Sequence, residues 1–440
     1  MATSFLQKYQ LQNHQLLLPK KQCVTYALYA LIALAFLHYL LFYPAPASGK
    51  SVVVAQAQEQ VAGVASARVD AREQLLPPSP PPPHQGDEAL MNPQAEQEVP
   101  GPPPCDYSDG EWVPDARPPL YNGTSCGTIK DGQNCMAHGR PDTGYLYWRW
   151  RPRQCNLPVF SPEALLRWLR NKHLAFVGDS LARNQAESLL CLLASRSSPE
   201  LVYRDGEGNA SRRFVFREFN ATVSVFWSPF LVKVVEKSEH AGGSRHNNVF
   251  LDAFDERWMS KLGDLDAVVL SVGHWFLIPG VYHDAGKVVA CHGCEELNYT
   301  ETDFFGVFKD VIHRTLAEVT RRQQHGHGEK KKEKVVAVTT FSPAHFEGGW
   351  DKAGACPKKR PYRNGEKGLG YTESEMRKTV VEAVRAAGEA AGSGLRFVAL
   401  DVTNLANLRP DGHPRPYMTK DPFAGGEAGE RRMQNDCFKR

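Results

Sequence analysis

Three things are scarce in this chain: unbalanced charge, acidic residues near its start, and aromatic residues over one long stretch. Its 52 basic and 49 acidic residues leave a formal net charge of +3 over 440 positions. Nothing global marks a nucleic-acid binder, and no nucleic-acid partner is expected. No acidic residue stands before position 23, whereas Lys8, Lys20 and Lys21 do. Residues 23–43 then carry no formal charge, with His38 as their one blemish. About 20 such residues cross a bilayer as a helix, and a basic flank stays cytosolic. The stretch exceeds the ~7–15-residue core of a cleaved signal peptide. The expectation is a type II signal anchor: residues 1–22 a cytosolic tail, 23–43 the span, and the rest lumenal.

Residues 44–104 have almost no aromatic side chain and are rich in Ala, Gln and Pro, including Pro77-Pro-Ser-Pro-Pro-Pro-Pro83. Such a segment cannot bury enough apolar surface to fold, and its proline runs extend as polyproline II. It reads as a stem. No repeat of solenoid type is present. Cys291-His-Gly-Cys294 is half of a zinc pattern without a clear second pair at suitable spacing. No metal site is therefore expected, and an oxidising lumen favours a disulfide, within the pair or to separate partners. The run Lys330-Lys-Lys-Glu-Lys334 reads as a solvated loop before a strand.

Nine of the ten cysteines lie beyond the span, an odd number, so at least one lacks an intrachain partner. Asn122, Asn209, Asn220 and Asn298 head Asn-x-Ser/Thr sequons on the lumenal side and are candidate glycosylation sites. Residues 105–160 hold four cysteines and three tryptophans, the mark of a small disulfide-stapled subdomain. Its aromatics could line a sugar-binding surface, although core packing is the default for most of them.

From residue 161 onward, apolar runs and helical patterns alternate. Strands are predicted over 174–177, 267–272, 335–341 and 395–402, and helices over 181–195, 303–324 and 372–391. Thr372 with Glu375 makes a capping-box pattern. This order predicts a three-layer α/β sandwich of parallel strands, with ligands at their C-terminal ends. Ser180 falls at such an end, in Val177-Gly-Asp-Ser180, as does Gly273-His274-Trp275 after the second strand. A serine heading a helix sits where backbone N–H groups lack intrahelical partners and can face an oxyanion. Ser180 is thus a candidate nucleophile.

Several segments together resemble the plant trichome birefringence-like (PC-esterase) family of Golgi polysaccharide O-acetyltransferases. They are Cys105-Asp-x-x-x-Gly-x-Trp112, Asn134-Cys-x-x-x-Gly-Arg-Pro-Asp142, Trp148-Arg-Trp-Arg-Pro152, Val177-Gly-Asp-Ser-Leu-Ala-Arg-Asn-Gln185, Gly273-His-Trp-Phe276 and Asp411-Gly-His-Pro414. Arg409-Pro-Asp-Gly-His-Pro-x-Pro-Tyr-Met418 and Gln434-Asn-Asp-Cys437 look most like the xyloglucan-acetylating branch. The resemblance implies an SGNH/GDSL-hydrolase-like catalytic domain over residues 161–440 and a Golgi membrane location with the head lumenal. It implies Ser180 as nucleophile and Asp436 as the carboxylate that orients a histidine base. Support or oxyanion roles fall to Gly178, Asp179, Arg183, Asn184, Gly273 and His274. Disulfides are implied for Cys105–Cys155, Cys126–Cys191 and Cys356–Cys437, with Cys291 and Cys294 able to pair and Cys135 left over.

Family members usually end in Asp-Cys-x-His-Trp-Cys-Leu-Pro-Gly. Here Asp436-Cys437 is followed by Phe438-Lys439-Arg440, so Lys439 stands at the histidine position. The absent family cysteine would make the lumenal count even, and the expectation is a variant or aberrantly spliced ending with impaired catalysis. His413 beside Asp411 is the substitute base considered, but Gly412 and Pro414 mark a loop turn. His274 reads as a substrate or core contact. No bound cofactor is expected. An acetyl donor is required, acetyl-CoA or another carrier, with a membrane protein as its possible supplier. The acceptor partner would be xyloglucan or a related β-1,4-glycan. Three classes stay open: an O-acetyltransferase acting on xyloglucan, xylan or mannan; an acetyl esterase that uses water; and a non-catalytic glycan-binding paralogue.

The topology has a direct check. An N-glycosidase should lower the apparent mass of the microsomal protein, and the head should resist protease in sealed vesicles. Unchanged mobility or a protease-sensitive head would contradict the type II reading.

Overall fold

The computed structural model describes residues 105–205, 211–237, 245–325, 333–349, 354–420, 422–423 and 435–437. The expected anchor and stem lie outside the described residues. Among the described residues, no helix is long and apolar enough to cross a membrane.

Strands β1 (Gly110–Pro114) and β2 (Trp148–Pro152) pair antiparallel. Their register sets Trp112 opposite Trp150, edge to face with centroids 5.4 Å apart. Trp150 is buried and its Nε1 donates to Tyr107 O at 2.7 Å, so this tryptophan is a core residue of its hairpin. Cys105–Cys155 and Cys126–Cys191 close loops of 50 and 65 residues. Each bridge restricts the unfolded chain by on the order of 4 kcal/mol.

The main sheet contains β3 (His173–Gly178), β4 (Glu200–Asp205), β5 (Ser211–Phe216), β6 (Ala221–Trp227), β9 (Ala267–Ser271), β12 (Lys334–Thr339) and β13 (Leu395–Leu400). Its order is β13-β12-β9-β3-β6-β5-β4. The first five strands run parallel, while β5 and β4 are antiparallel additions. A second sheet has the order β11-β10-β8-β7, from β7 (Val232–Val235), β8 (Asn247–Phe254), β10 (Gly280–Asp284) and β11 (Lys287–His292).

The four strands predicted from apolar runs are β3, β9, β12 and β13. Three of them end sooner than expected, because Val272, Thr340, Phe341, Asp401 and Val402 have left the ladder to build loops. The antiparallel strands and the whole second sheet are additions to that reading. The sequence signal for them is weak: β5 alternates buried and half-buried residues and includes Arg212, and β4 is exposed throughout.

The α-helices among the described residues are α1 (Pro162–Trp168), α2 (Ser180–Ala194), α3 (Glu256–Met259), α4 (Phe304–His325), α5 (Tyr371–Ala390) and α6 (Thr403–Asn407). Alternation along β3 explains the layering. Leu174 and Phe176 pack with Leu166, Leu169, Leu190 and Leu193 around α1 and α2. Ala175 and Val177 join the opposite cluster, with Val311 of α4 and Met376 and Val380 of α5.

Two local expectations are corrected. The cap of α5 is Gly370, with no side-chain hydrogen bond, and Thr372 lies inside the helix. Glu373 folds back toward Gly370, so the carboxylate half of a cap is supplied two residues earlier than the Thr372–Glu375 pattern implies. Lys334 is not in a solvated loop: it starts β12, is buried, and its Nζ donates to Leu262 O at 2.6 Å and to Leu265 O. Burial lowers its pKa, and those two carbonyls replace its lost water.

Among the described residues four bridges are formed: Cys105–Cys155, Cys126–Cys191, Cys291–Cys294 and Cys356–Cys437. Cys135 is free and buried. Candidate sequon residues Asn122, Asn220 and Asn298 are exposed; Asn209 lies outside the described residues.

One position sets how closely β3 and β9 approach. Gly178 has φ +150°, and a Cβ there would lie 1.9 Å from Ser271 O. The obstacle is backbone and cannot swing away. Gly178→Ala should therefore cost about 3 kcal/mol or more in urea unfolding followed by tryptophan fluorescence. A change below about 0.5 kcal/mol would refute the close-approach account.

Candidate active site

Ser180 is the first residue of α2 and is half-buried. Its position follows from β3 ending at Gly178 and Asp179 acting as the N-cap of the helix. The Asp179 side chain accepts the Leu181 N–H at 2.8 Å, and its backbone N–H donates to Ser271 O at 3.2 Å. Asp179 is fully buried, and burial pushes its pKa up to about 6 against the lowering influence of Leu181, Gly273 and His274 N–H groups and of Arg183. The carboxyl group thus lies where the loops after β3 and β9 meet. It joins them beneath Ser180.

Gly273 follows β9 with φ +159°. A Cβ there would lie 2.7 Å from the Phe341 ring, so only glycine fits under that side chain. His274 is buried, its Nε2 lies 2.8 Å from Ser342 O, and its ring meets Phe341 edge-on at 4.9 Å. Since a carbonyl only accepts, His274 Nε2 carries the hydrogen. This histidine couples the loops after β9 and β12, which makes it a core contact.

The loop after β12 continues to His345, whose N–H donates to Cys437 O at 3.1 Å. His345 Nε2 faces Asn407 O at 2.8 Å, and its Nδ1 lies 2.8 Å from His413 Nε2. Neutral His345 must donate from Nε2 and accept at Nδ1, so His413 Nε2 is the donor in this pair. His413 is fully buried. Asp436 is buried beside this pair, exchanging backbone hydrogen bonds of 3.0 and 3.2 Å with Arg415 and followed by the Cys356–Cys437 bridge. Lys439 lies outside the described residues.

The structure therefore brings Gly178, Asp179, Ser180 and Gly273 together. His274, whose N–H lies beside Asp179, links this group to the loop after β12, where His345 meets His413 and the Asp436–Cys437 segment; β12 is two strands across the sheet from β3. Asn184, one turn along α2 from Ser180, lines a cavity of about 720 Å³ with Trp112, Trp148, Ser188 and Cys135. Cys291, Cys294 and Glu301 come within 4.8 Å of one another, as metal ligands do, but the two sulfurs are joined in a disulfide.

Four contributors were not singled out from sequence. Buried Arg140 donates to Asp411 O and His413 O, both at 2.7 Å, and pairs with Asp142 at 2.8 Å. Its signal was the Gly-Arg-Pro-Asp142 segment. His345 and Arg415 hold the Asp436 region, and Trp227 flanks the Ser180 turn. Trp227 is the last residue of β6 and His345 lies in the loop after β12, at the strand ends that carry ligands in parallel sheets.

A layered α/β domain whose serine heads a helix at the end of a central parallel strand, beside a glycine turn from the next strand, has the design of a serine acyl-transfer enzyme. The chain belongs to the GDSL/SGNH-like acyl-esterase family found in Pmr5 and Cas1p, whose model matches residues 157–439; the PMR5 N-terminal domain matches residues 103–156. It is 56% identical over 336 residues to xyloglucan O-acetyltransferase 2 of Populus trichocarpa, covering 76% of this chain and 77% of that protein. It is 52% identical over 337 residues to xyloglucan O-acetyltransferase 1 of Arabidopsis thaliana, covering 76% of each. Protein trichome birefringence-like 25 of Arabidopsis thaliana is 40% identical over 340 residues, 76% of this chain and 72% of its own length.

The buried carboxyl gives a pH prediction. A folded pKa near 6 against an ordinary value of 3.8 means that the folded state holds this proton more tightly. Stability from this group is therefore lost as pH rises from about 4 to about 6 and is level above that. Asp179→Asn keeps an acceptor for Leu181 N–H and removes the titration. Relative to that variant, the unsubstituted protein should lose on the order of 2 kcal/mol between pH 4 and pH 6 in denaturant unfolding. Parallel pH profiles would contradict the assignment.

Proposed function

We propose that this protein is a polysaccharide O-acetyltransferase that works through a Ser180 acetyl-enzyme, with xyloglucan as acceptor. The observation that carries the reading is Ser180 at the head of α2, set beside Gly273 by the close packing of β3 and β9. The names of the relatives supply the acceptor. The proposed location is the Golgi membrane with the head lumenal, on the strength of the basic tail, the uncharged stretch at 23–43 and the sequons.

In the first half-reaction Ser180 Oγ attacks the acetyl carbonyl carbon of the donor. Its proton passes to the base, and the donor's leaving atom departs with a proton. The Ser180 backbone N–H, with Arg183 or Asn184, is the candidate donor set for the oxyanion, since the Gly273 N–H faces Asp179. In the second half-reaction a glycan hydroxyl attacks the same carbon and gives its proton to the base. The Ser180 oxygen leaves and is reprotonated. Water in place of the glycan would give an acetyl esterase, so the product identifies the acceptor.

Asp436 is proposed to orient the base. At position 439 an ordinary lysine, with a pKa near 10.4, is protonated at neutral pH and cannot take the Ser180 proton. Incubation with an acetyl donor and xyloglucan oligosaccharide, followed by mass spectrometry of the sugar, tests the reading. With histidine restored at position 439, Ser180→Ala should lower acetylated product by about a thousandfold or more. Transfer that survives this substitution would overturn the serine mechanism.

Lys439→His should raise transfer by about a hundredfold. No gain would remove position 439 from the mechanism and promote His413 or His345 as base.

A further inference from the structure

An acceptor hydroxyl must come within about 3.5 Å of the acyl carbon on Ser180, so its sugar ring has to rest against one of the walls around that serine. On the β9 side, Phe341 lies over Gly273 and His274 is held to Ser342. The other neighbour of β3 is β6, whose register sets Trp227 directly opposite Gly178. Trp227 is the last residue of β6 and is half-buried. Its indole Nε1 donates to Glu236 Oε1 at 2.8 Å, and its ring meets Trp275 edge to face at 5.5 Å. Trp275 comes from the loop after β9, so the two indoles close across the end of β3 from both sides.

Arg183 stands three residues after Ser180 and on the same face of α2. Its Cζ lies 5.3 Å from the centre of the Trp227 ring. Among the described residues its guanidinium forms no ion pair, and its buried Nε has no hydrogen-bond partner. A half-buried guanidinium held over a fixed, partly accessible indole and engaged in no ion pair suits a neutral sugar. A pyranose offers an apolar C–H face to the ring and hydroxyl acceptors to the cation.

We propose that Trp227 and Arg183 form the acceptor subsite, on which a pyranose unit of a neutral β-linked glycan stacks with one hydroxyl presented to Ser180. The proposal rests on the acyl-transfer reading above, but its test reads binding rather than turnover. Binding of xyloglucan oligosaccharide would be measured by calorimetry for the unsubstituted protein and for Trp227→Phe, Trp227→Leu and Trp168→Leu. Trp168 is 45% exposed on α1 and serves as a distant control. Trp227→Phe should retain binding within about threefold, and Trp227→Leu should weaken it by about tenfold. Trp168→Leu should leave it unchanged. Thermal melting of each variant reports folding, and the Phe/Leu contrast separates lost stacking from lost packing. Equal binding by the two Trp227 variants, or an equal loss with Trp168→Leu, would overturn the subsite. Acetyl transfer to the same oligosaccharide is read in parallel on the Lys439→His protein. Binding without transfer would count against the catalytic reading and leave the subsite standing; transfer with Trp227-independent binding would do the reverse.

Discussion

The site depends on a carboxyl group that has been taken fully out of water. Asp179 caps α2, lies against the Gly273 turn and is pushed up to a pKa of about 6 by burial. Leu181 N–H is hydrogen-bonded to Oδ1 while Oδ2 is buried without a partner, so this carboxyl is only partly compensated and holds its proton to a higher pH than usual. The consequence is geometric. The turn that carries Ser180 and the end of β9 that leads into the Gly273 turn cannot move independently, because Asp179 N–H donates to Ser271 O and its buried carboxyl lies against Gly273 and His274. Gly178 completes this arrangement by letting the two backbones approach closer than any side chain would permit.

A second constraint acts at long range in sequence. The loop that holds Asp411 and His413 is fastened to the N-terminal region rather than to the sheet. Arg140 reaches two of its carbonyls, Arg409 donates to Tyr145 O at 2.8 Å, and Trp112 Nε1 donates to Leu405 O at 2.9 Å. Tyr107 adds a bond of 2.8 Å to Ala399 O. The disulfide-stapled region therefore acts as a brace for the loops that adjoin Asp436. Its tryptophans serve this bracing as well as their own hairpin, which is why a composition rich in Trp and Cys stands ahead of a conventional α/β core.

The parts of this architecture legible in sequence are those governed by local physics. Continuous apolar runs mark strands buried on both faces, and β3, β9, β12 and β13 were visible for that reason. Long helices with one apolar face were equally plain. Strands that add to an edge were not, because β4 has no buried face and β5 buries Arg212 against Glu187 rather than against apolar neighbours. Ser180 could be named from its strand–turn–helix setting. Trp227 could not, because its role depends on β6 lying beside β3, a choice made by the sheet and not by the segment. His345 was hidden for a similar reason: its partners Asn407, His413 and Cys437 are all distant in the chain.

The central claim is that Ser180 is the atom that carries the acyl group. Peptide mass spectrometry of the Lys439→His protein after brief reaction with p-nitrophenyl acetate and an acid quench tests it most directly. The account predicts a single acetyl adduct on the peptide that contains Ser180, absent when the protein is unfolded before reaction. An adduct confined to lysine side chains, or equal labelling of the unfolded chain, would contradict it.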